Sequence, residues 1–176
     1  MSASEPTSGM DAFFERRTKE HIERVRKCLI VMASITKYSD ELKQRARVHD
    51  ASKYGPKEPI PYIWLTECHR CRRAEEPFAD PVGIEDLVRT AIEHHVTTNR
   101  HHPEFHSSPN DMTDEDLIEM VCDWTAMSQE FQQDCGSARG WADKTIGHRL
   151  KLNDDRREFV YRMIELLDAN LDSGAE

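Results

Sequence analysis

Six of the nine histidines in this chain fall into an order that chemistry can use: His21, then His49 beside Asp50, then the pairs His94-His95 and His101-His102, followed by Asp123. Imidazole nitrogens and carboxylate oxygens suit borderline and hard divalent ions, and a helical bundle that clusters them holds one or two such ions. Lys53 lies four residues after His49, so on one continuous helix its ammonium would cover the same patch.

Whether these side chains can meet depends on the elements that carry them. The apolar period is helical almost throughout, and no alternating run of strand length occurs. A first helix is expected over about residues 11 to 36, with Ile22, Val25, Leu29, Met32 and Ile35 inward. His21 is in line with Val25, Cys28 and Met32, which turns its imidazole toward that apolar side. A second helix, about residues 38 to 54, would place Tyr38, Leu42, Ala46, His49 and Lys53 in one row, with Asp50 about 100° round from His49, and stop at Gly55-Pro56. A third is expected at about 61 to 75 and a fourth from about Ile84 to Thr97, where His95 extends the row Ile84, Val88, Ala91. Pro, Asn and Ser make the segment from Thr98 to Met112 a loop. Thr113 with Asp116 forms a capping-box pattern at the head of a fifth helix, in which Asp123 sits at the edge of the apolar stripe. A carboxylate at such a position needs a partner or a metal, because an isolated buried charge is costly. A short helical piece around Trp141 and a last helix capped by Asn153 or Asp154 complete the series.

Length and charge narrow the function classes. A chain of 176 residues suits one compact domain, here expected at 11–171 between polar tails at 1–10 and 172–176. The net charge of −9 opposes bulk nucleic-acid binding, yet leaves room for a small phosphorylated ligand received by metals or a local basic pocket. No window reaches the roughly 18 apolar residues of a membrane span, and no signal pattern opens the chain, so a cytoplasmic protein is expected. Five scattered cysteines read as reduced thiols, not as a disulfide framework. Cys68 and Cys71 form a CxxC, but a structural zinc needs two further ligands at comparable spacing, and none follows. No G-x-S-x-G elbow supports a serine hydrolase.

The order His21, His49-Asp50, Asp123 resembles the H…HD…D series of the HD-domain superfamily of metal-dependent phosphohydrolases. HDASK at 49–53 looks like the HDxGK form of two-metal members, with Ser52 in place of glycine. HDASKYGPKE, NRHHPEF and EMVCDW together resemble, over roughly residues 17 to 167, a family of small uncharacterised helical proteins of bacteria and phages, a domain of unknown function.

The resemblance implies an all-α, single-domain, HD-like bundle of five to seven helices. It also implies a first metal on His21, His49, Asp50 and Asp123. Asp50 would bridge to a second ion held by His95 and by His101 or His102, with Glu104 or His106 as further contributors. The ions would be drawn from Mn, Fe, Co, Ni, Zn and Mg. The activity so implied is hydrolysis of a phosphomonoester or phosphodiester in a small nucleotide-like molecule, with Asp50 and Lys53 catalytic and Lys53 steadying transition-state charge. Two rivals remain at the level of sequence: a di-iron oxygenase on the same ligands, and a regulatory or binding protein that keeps a metal only for stability.

Overall fold

A computed structural model describes residues 5–171, so the expected tail at 172–176 and the first four residues of the expected N-terminal tail lie outside the described residues. Seven α-helices occur among the described residues: α1 (Ser8–Ile35), α2 (Ser39–Val48), α3 (Pro59–Arg73), α4 (Ile84–Thr98), α5 (Asp114–Phe131), α6 (Arg139–Thr145) and α7 (Asp154–Leu171). No strand accompanies them among the described residues; an isolated bridge joins Ile146 to Leu150. The fold is therefore all-α, as the periodicity predicts. None of the helices is long and apolar enough to cross a membrane.

The residues group into two compact units. One contains the chain up to Glu20 together with Asp50–Asn99; the other contains His21–His49 together with the chain from Arg100 on. Helix α1 therefore contributes its first turns to one unit and the remainder to the other.

In the first unit α3 packs on α4, and a 3-10 turn at Ala51–Tyr54 packs on both. Pro59 occupies the first helical position of α3, where its missing N–H costs nothing and its fixed φ favours the helix. The buried side chains here are few, with Pro61, Ile63, Trp64, Cys71, Ile84 and Ala91 the apolar ones on α3 and α4. The second unit carries the larger core. Val25, Leu29 and Met32 of α1, Leu42 and Ala46 of α2, Leu117, Ile118 and Val121 of α5, and Val160, Ile164 and Leu167 of α7 form one buried cluster. Each such aliphatic side chain contributes about 1.5–3 kcal/mol on burial. The capping box forms as its sequence predicts: Thr113 Oγ1 accepts from the Asp116 amide at 3.2 Å, and the Thr113 amide donates to Asp116 Oδ2 at 2.8 Å. Asn153 Oδ1 likewise accepts from the Arg156 amide at 2.9 Å at the head of α7.

One expected element is corrected. The second helix does not run on to residue 54; it stops at Val48. His49 takes an extended conformation (φ −51°, ψ 129°), Asp50 the left-handed one (φ 55°), and Ala51–Tyr54 form the separate 3-10 turn. Aspartate tolerates the left-handed region better than most residues, which makes Asp50 a workable breaking point. His49, Asp50 and Lys53 consequently do not share a helix face, and the 100° relation between the first two does not apply.

Candidate metal centre

In the second unit three elements converge. His21 lies on α1, His49 closes α2, and Asp123 and Glu119 sit one turn apart on α5; His101 comes from the connection between α4 and α5. Two imidazoles address one carboxylate oxygen: His21 Nε2 is 3.0 Å and His49 Nε2 3.8 Å from Asp123 Oδ1. The rings of His49 and His101 lie 4.6 Å apart, and that of His102 lies 4.2 Å from His101. One donor atom each from His49, His101 and Asp123 falls within 4.8 Å of the others. His21, His49 and His101 are buried, and the Asp123 side chain keeps 17 % exposure.

Behind these residues stands a network of buried charges. Glu119 Oε1 accepts from His49 Nδ1 at 2.8 Å, and His101 Nδ1 approaches the same oxygen at 3.5 Å. Arg45 Nη1 donates to Glu119 Oε2 at 2.9 Å and pairs with Asp116 Oδ1 at 2.8 Å. Burial alone would raise the Glu119 pKa, but its hydrogen bonds and charge attraction to His101 and His49 outweigh that and hold it far below the ordinary carboxylate value. Asp123 follows the same pattern: desolvation raises it, and the hydrogen bond and charge of His21, with the charges of His101 and His49, bring it well below the usual range. The imidazoles around them thus favour the ionised form of both carboxylates.

The first unit builds a second constellation. Asp50, 1 % exposed, receives Lys53 Nζ on Oδ2 at 2.6 Å, and His95 Nε2 stands 3.4 Å from its Oδ1. The Lys53 ammonium also lies 5.7 Å from the Tyr62 ring centroid. Glu58, fully buried at the head of α3, spans two histidines: Oε1 lies 2.7 Å from His94 Nδ1 and Oε2 3.0 Å from His95 Nδ1. Ser52, the departure from glycine in the HDxxK stretch, is also engaged. Its hydroxyl accepts from Asn99 Nδ2 at 2.8 Å and lies 3.2 Å from His95 Nδ1, while Asn99 Nδ2 also donates to the His95 carbonyl at 2.8 Å. The ring of Tyr62 meets His95 edge-on at 5.6 Å; burial, then the charges of Glu58 and Asp50, push its phenol pKa up and keep it neutral.

Of the residues singled out in the sequence, the second unit brings together His21, His49, His101, His102 and Asp123, and the first unit brings together Asp50, Lys53 and His95. His101 stands in one donor group with His49 and Asp123. His94 turns to Glu58, and His106 Nε2 binds the Arg100 carbonyl at 2.9 Å and lies 3.5 Å from Asp116, so neither enters the donor group; Glu104 is exposed. Glu119 had a legible signal, its four-residue spacing from Asp123 in EMVCDW. Glu58, set between Lys57 and Pro59 outside any apolar period, had none. All five cysteines are free thiols, and Cys71 Sγ lies against Arg70 and Glu67, at 3.2 and 3.5 Å.

A family model described as "Family of unknown function (DUF5662)" matches residues 10–166. No curated protein and no solved structure matches the chain.

Proposed function

The chain belongs to the DUF5662 family of unknown function, and from its own residues we propose a metal-dependent hydrolase of the HD type, acting on a phosphomonoester or phosphodiester of a small nucleotide-like molecule. The observation that carries this reading is the donor group of His49, His101 and Asp123, with His21 against the same carboxylate. Nitrogen and carboxylate donors in that number fit a borderline divalent ion. His21, His49, His101 and Asp123 would hold one ion, and Asp50 with His95 would contribute to another. Such ions would supply a water acidic enough to attack at neutral pH, and positive charge opposite the phosphoryl oxygens.

The chain's own groups do the rest. Burial of the imidazoles limits competing water and keeps each ring in one orientation. Lys53 is the outward member of its pair, with 17 % of its side chain exposed against 1 % for Asp50, which supports a role for its ammonium in meeting a phosphoryl oxygen. The charge of −9 makes a small anion, received locally by cations, a better ligand than a nucleic-acid backbone.

A second reading draws on the same group: two histidines and one carboxylate are also the ligand set of non-haem iron oxygenases. Metal analysis of aerobically purified protein, joined to a phosphatase and nucleotide screen with Mn, Co, Mg, Ni and Fe supplied in turn, separates the two. Phosphate release that depends on the added ion and disappears in Asp123→Ala is the expected result. A coloured iron protein without phosphatase activity favours the oxygenase, and a protein that takes up no ion ends both.

A further inference from the structure

We propose that Arg100 and His106 are positioning residues that close residues 100–106 into a fixed loop and so set the His101 imidazole beside Glu119 and Asp123. The use made of His101 rests on the metal-binding reading, but the closure of the loop needs no ion.

Between Arg100 and the head of α5 the only regular pieces are two 3-10 turns, Pro103–Phe105 and Pro109–Asp111. Turns of three residues hold a neighbouring side chain weakly by themselves. The first is made by the Phe105 amide on the His102 carbonyl at 3.1 Å and the His106 amide on the Pro103 carbonyl at 3.2 Å. His106 then reaches back to the start of the loop, where its Nε2 lies 2.9 Å from the Arg100 carbonyl. A carbonyl oxygen only accepts, so the ring nitrogen is the donor. The His106 side chain keeps 7 % exposure. Phe105 meets its ring edge-on at 5.0 Å, and the Arg100 guanidinium lies over Phe105 at 5.2 Å. One arginine therefore holds both ends of the loop, the far end through its carbonyl and Phe105.

Asp116 ties this loop to the helix that carries the candidate ligand Asp123. Arg100 presents two parallel donors to it, Nε to Oδ1 at 3.1 Å and Nη2 to Oδ2 at 3.2 Å, and the carboxylate is itself fully buried and fixed by the Thr113 amide. Glu119 and Asp123 follow Asp116 by three and seven residues, so the three carboxylates lie along one face of α5. With Arg100 bound to the first, the next residue, His101, is carried over the other two: its Nδ1 lies 3.5 Å from Glu119 Oε1, and it shares a donor group with His49 and Asp123. His106 acts on the site through the loop, since its own Nε2 is turned to a carbonyl.

The test compares the full wild-type chain with three variants. His106→Phe keeps a ring and loses the donor, His106→Gln restores an N–H, and Arg100→Lys keeps the charge and loses the two-pronged grip. Metal-free, amide exchange is read at Phe105 and His106, together with the nuclear Overhauser contact between the His49 and His101 rings, whose centroids lie 4.6 Å apart. Cobalt(II) affinity is read beside helix content by circular dichroism. In His106→Phe and Arg100→Lys the expected result is exchange about two- to tenfold faster, as the loss of one hydrogen bond allows, and a lost ring contact at unchanged helix content. Cobalt binding should weaken about ten- to a hundredfold in both, and His106→Gln should return all three readings toward wild type. A ring contact kept in both weakened variants, a glutamine no better than phenylalanine, or a loosened loop with wild-type cobalt affinity would overturn the proposal. A wild-type chain that takes up no cobalt counts against the metal reading, while the metal-free ring contact still decides whether the clamp sets His101.

Discussion

Asp50 combines several constraints in one residue. It is an anion with almost no exposure, it occupies the left-handed region, and its two oxygens face Lys53 and His95. Asp50→Asn keeps the shape and an acceptable left-handed residue while removing the charge, so it isolates the electrostatic role better than alanine. Under the proposed hydrolase chemistry this variant is soluble and helical by circular dichroism but has lost phosphohydrolase activity; turnover at the wild-type rate would end the hydrolase proposal. Lys53→Ala should slow turnover by about a hundredfold, or roughly 3 kcal/mol of transition-state stabilisation, with bound metal retained. If metal analysis instead shows the ion lost, Lys53 serves only to balance Asp50.

At the scale of elements, the start of α5 joins capping to the buried network. Thr113 supplies a neutral cap, and Thr113→Ala is expected to lower unfolding free energy by about 1 kcal/mol in urea titration. Asp116 does more: besides its bond from the Thr113 amide it accepts from Arg100 Nε at 3.1 Å and pairs with Arg45 at 2.8 Å. Removing its charge leaves Arg45 with Glu119 and the half-exposed Glu41, so Asp116→Asn should cost about 1.5–3 kcal/mol, more than the cap variant. Equal losses in the two variants would mean that the capping bond, not the arginine network, is what Asp116 contributes.

For the molecule as a whole, the buried anions set the response to acid. Burial would raise Asp116, but the Thr113 amide, Arg100 and Arg45 hold it below its ordinary value, and Glu119 is lowered more strongly by His101 and His49. Because the folded pKa values lie below the unfolded ones, their stabilisation is full above about pH 4 and is lost as pH falls through the folded values. Urea midpoints should therefore fall steeply below about pH 4, and Asp116→Asn should flatten that slope; a midpoint unchanged down to about pH 2 would contradict the linkage. Thiol reactivity offers an independent check on packing. Cys28 is buried and pushed up to about 12 by desolvation, and Cys122 is raised well above the usual thiol value by the same cause. The exposed Cys135 should label rapidly in native protein, while Cys28 and Cys122 label only on unfolding.

The sequence by itself determined whatever depends on neighbours a few residues away. Helical period, the Thr113–Asp116 box, the Asn153 cap and the inward placement of His21 are local patterns, and the structure reproduces them. Tertiary structure decided the rest. The row from Tyr38 to Lys53 reads as one helix locally, yet it breaks at His49 and Asp50, because His49 is engaged by Glu119, 70 residues away, and Asp50 by Lys53 and His95. Glu58 escaped the sequence reading for the same reason. A glutamate counts as a surface residue in any local pattern, and only histidines brought to it from distant parts of the chain make its burial affordable.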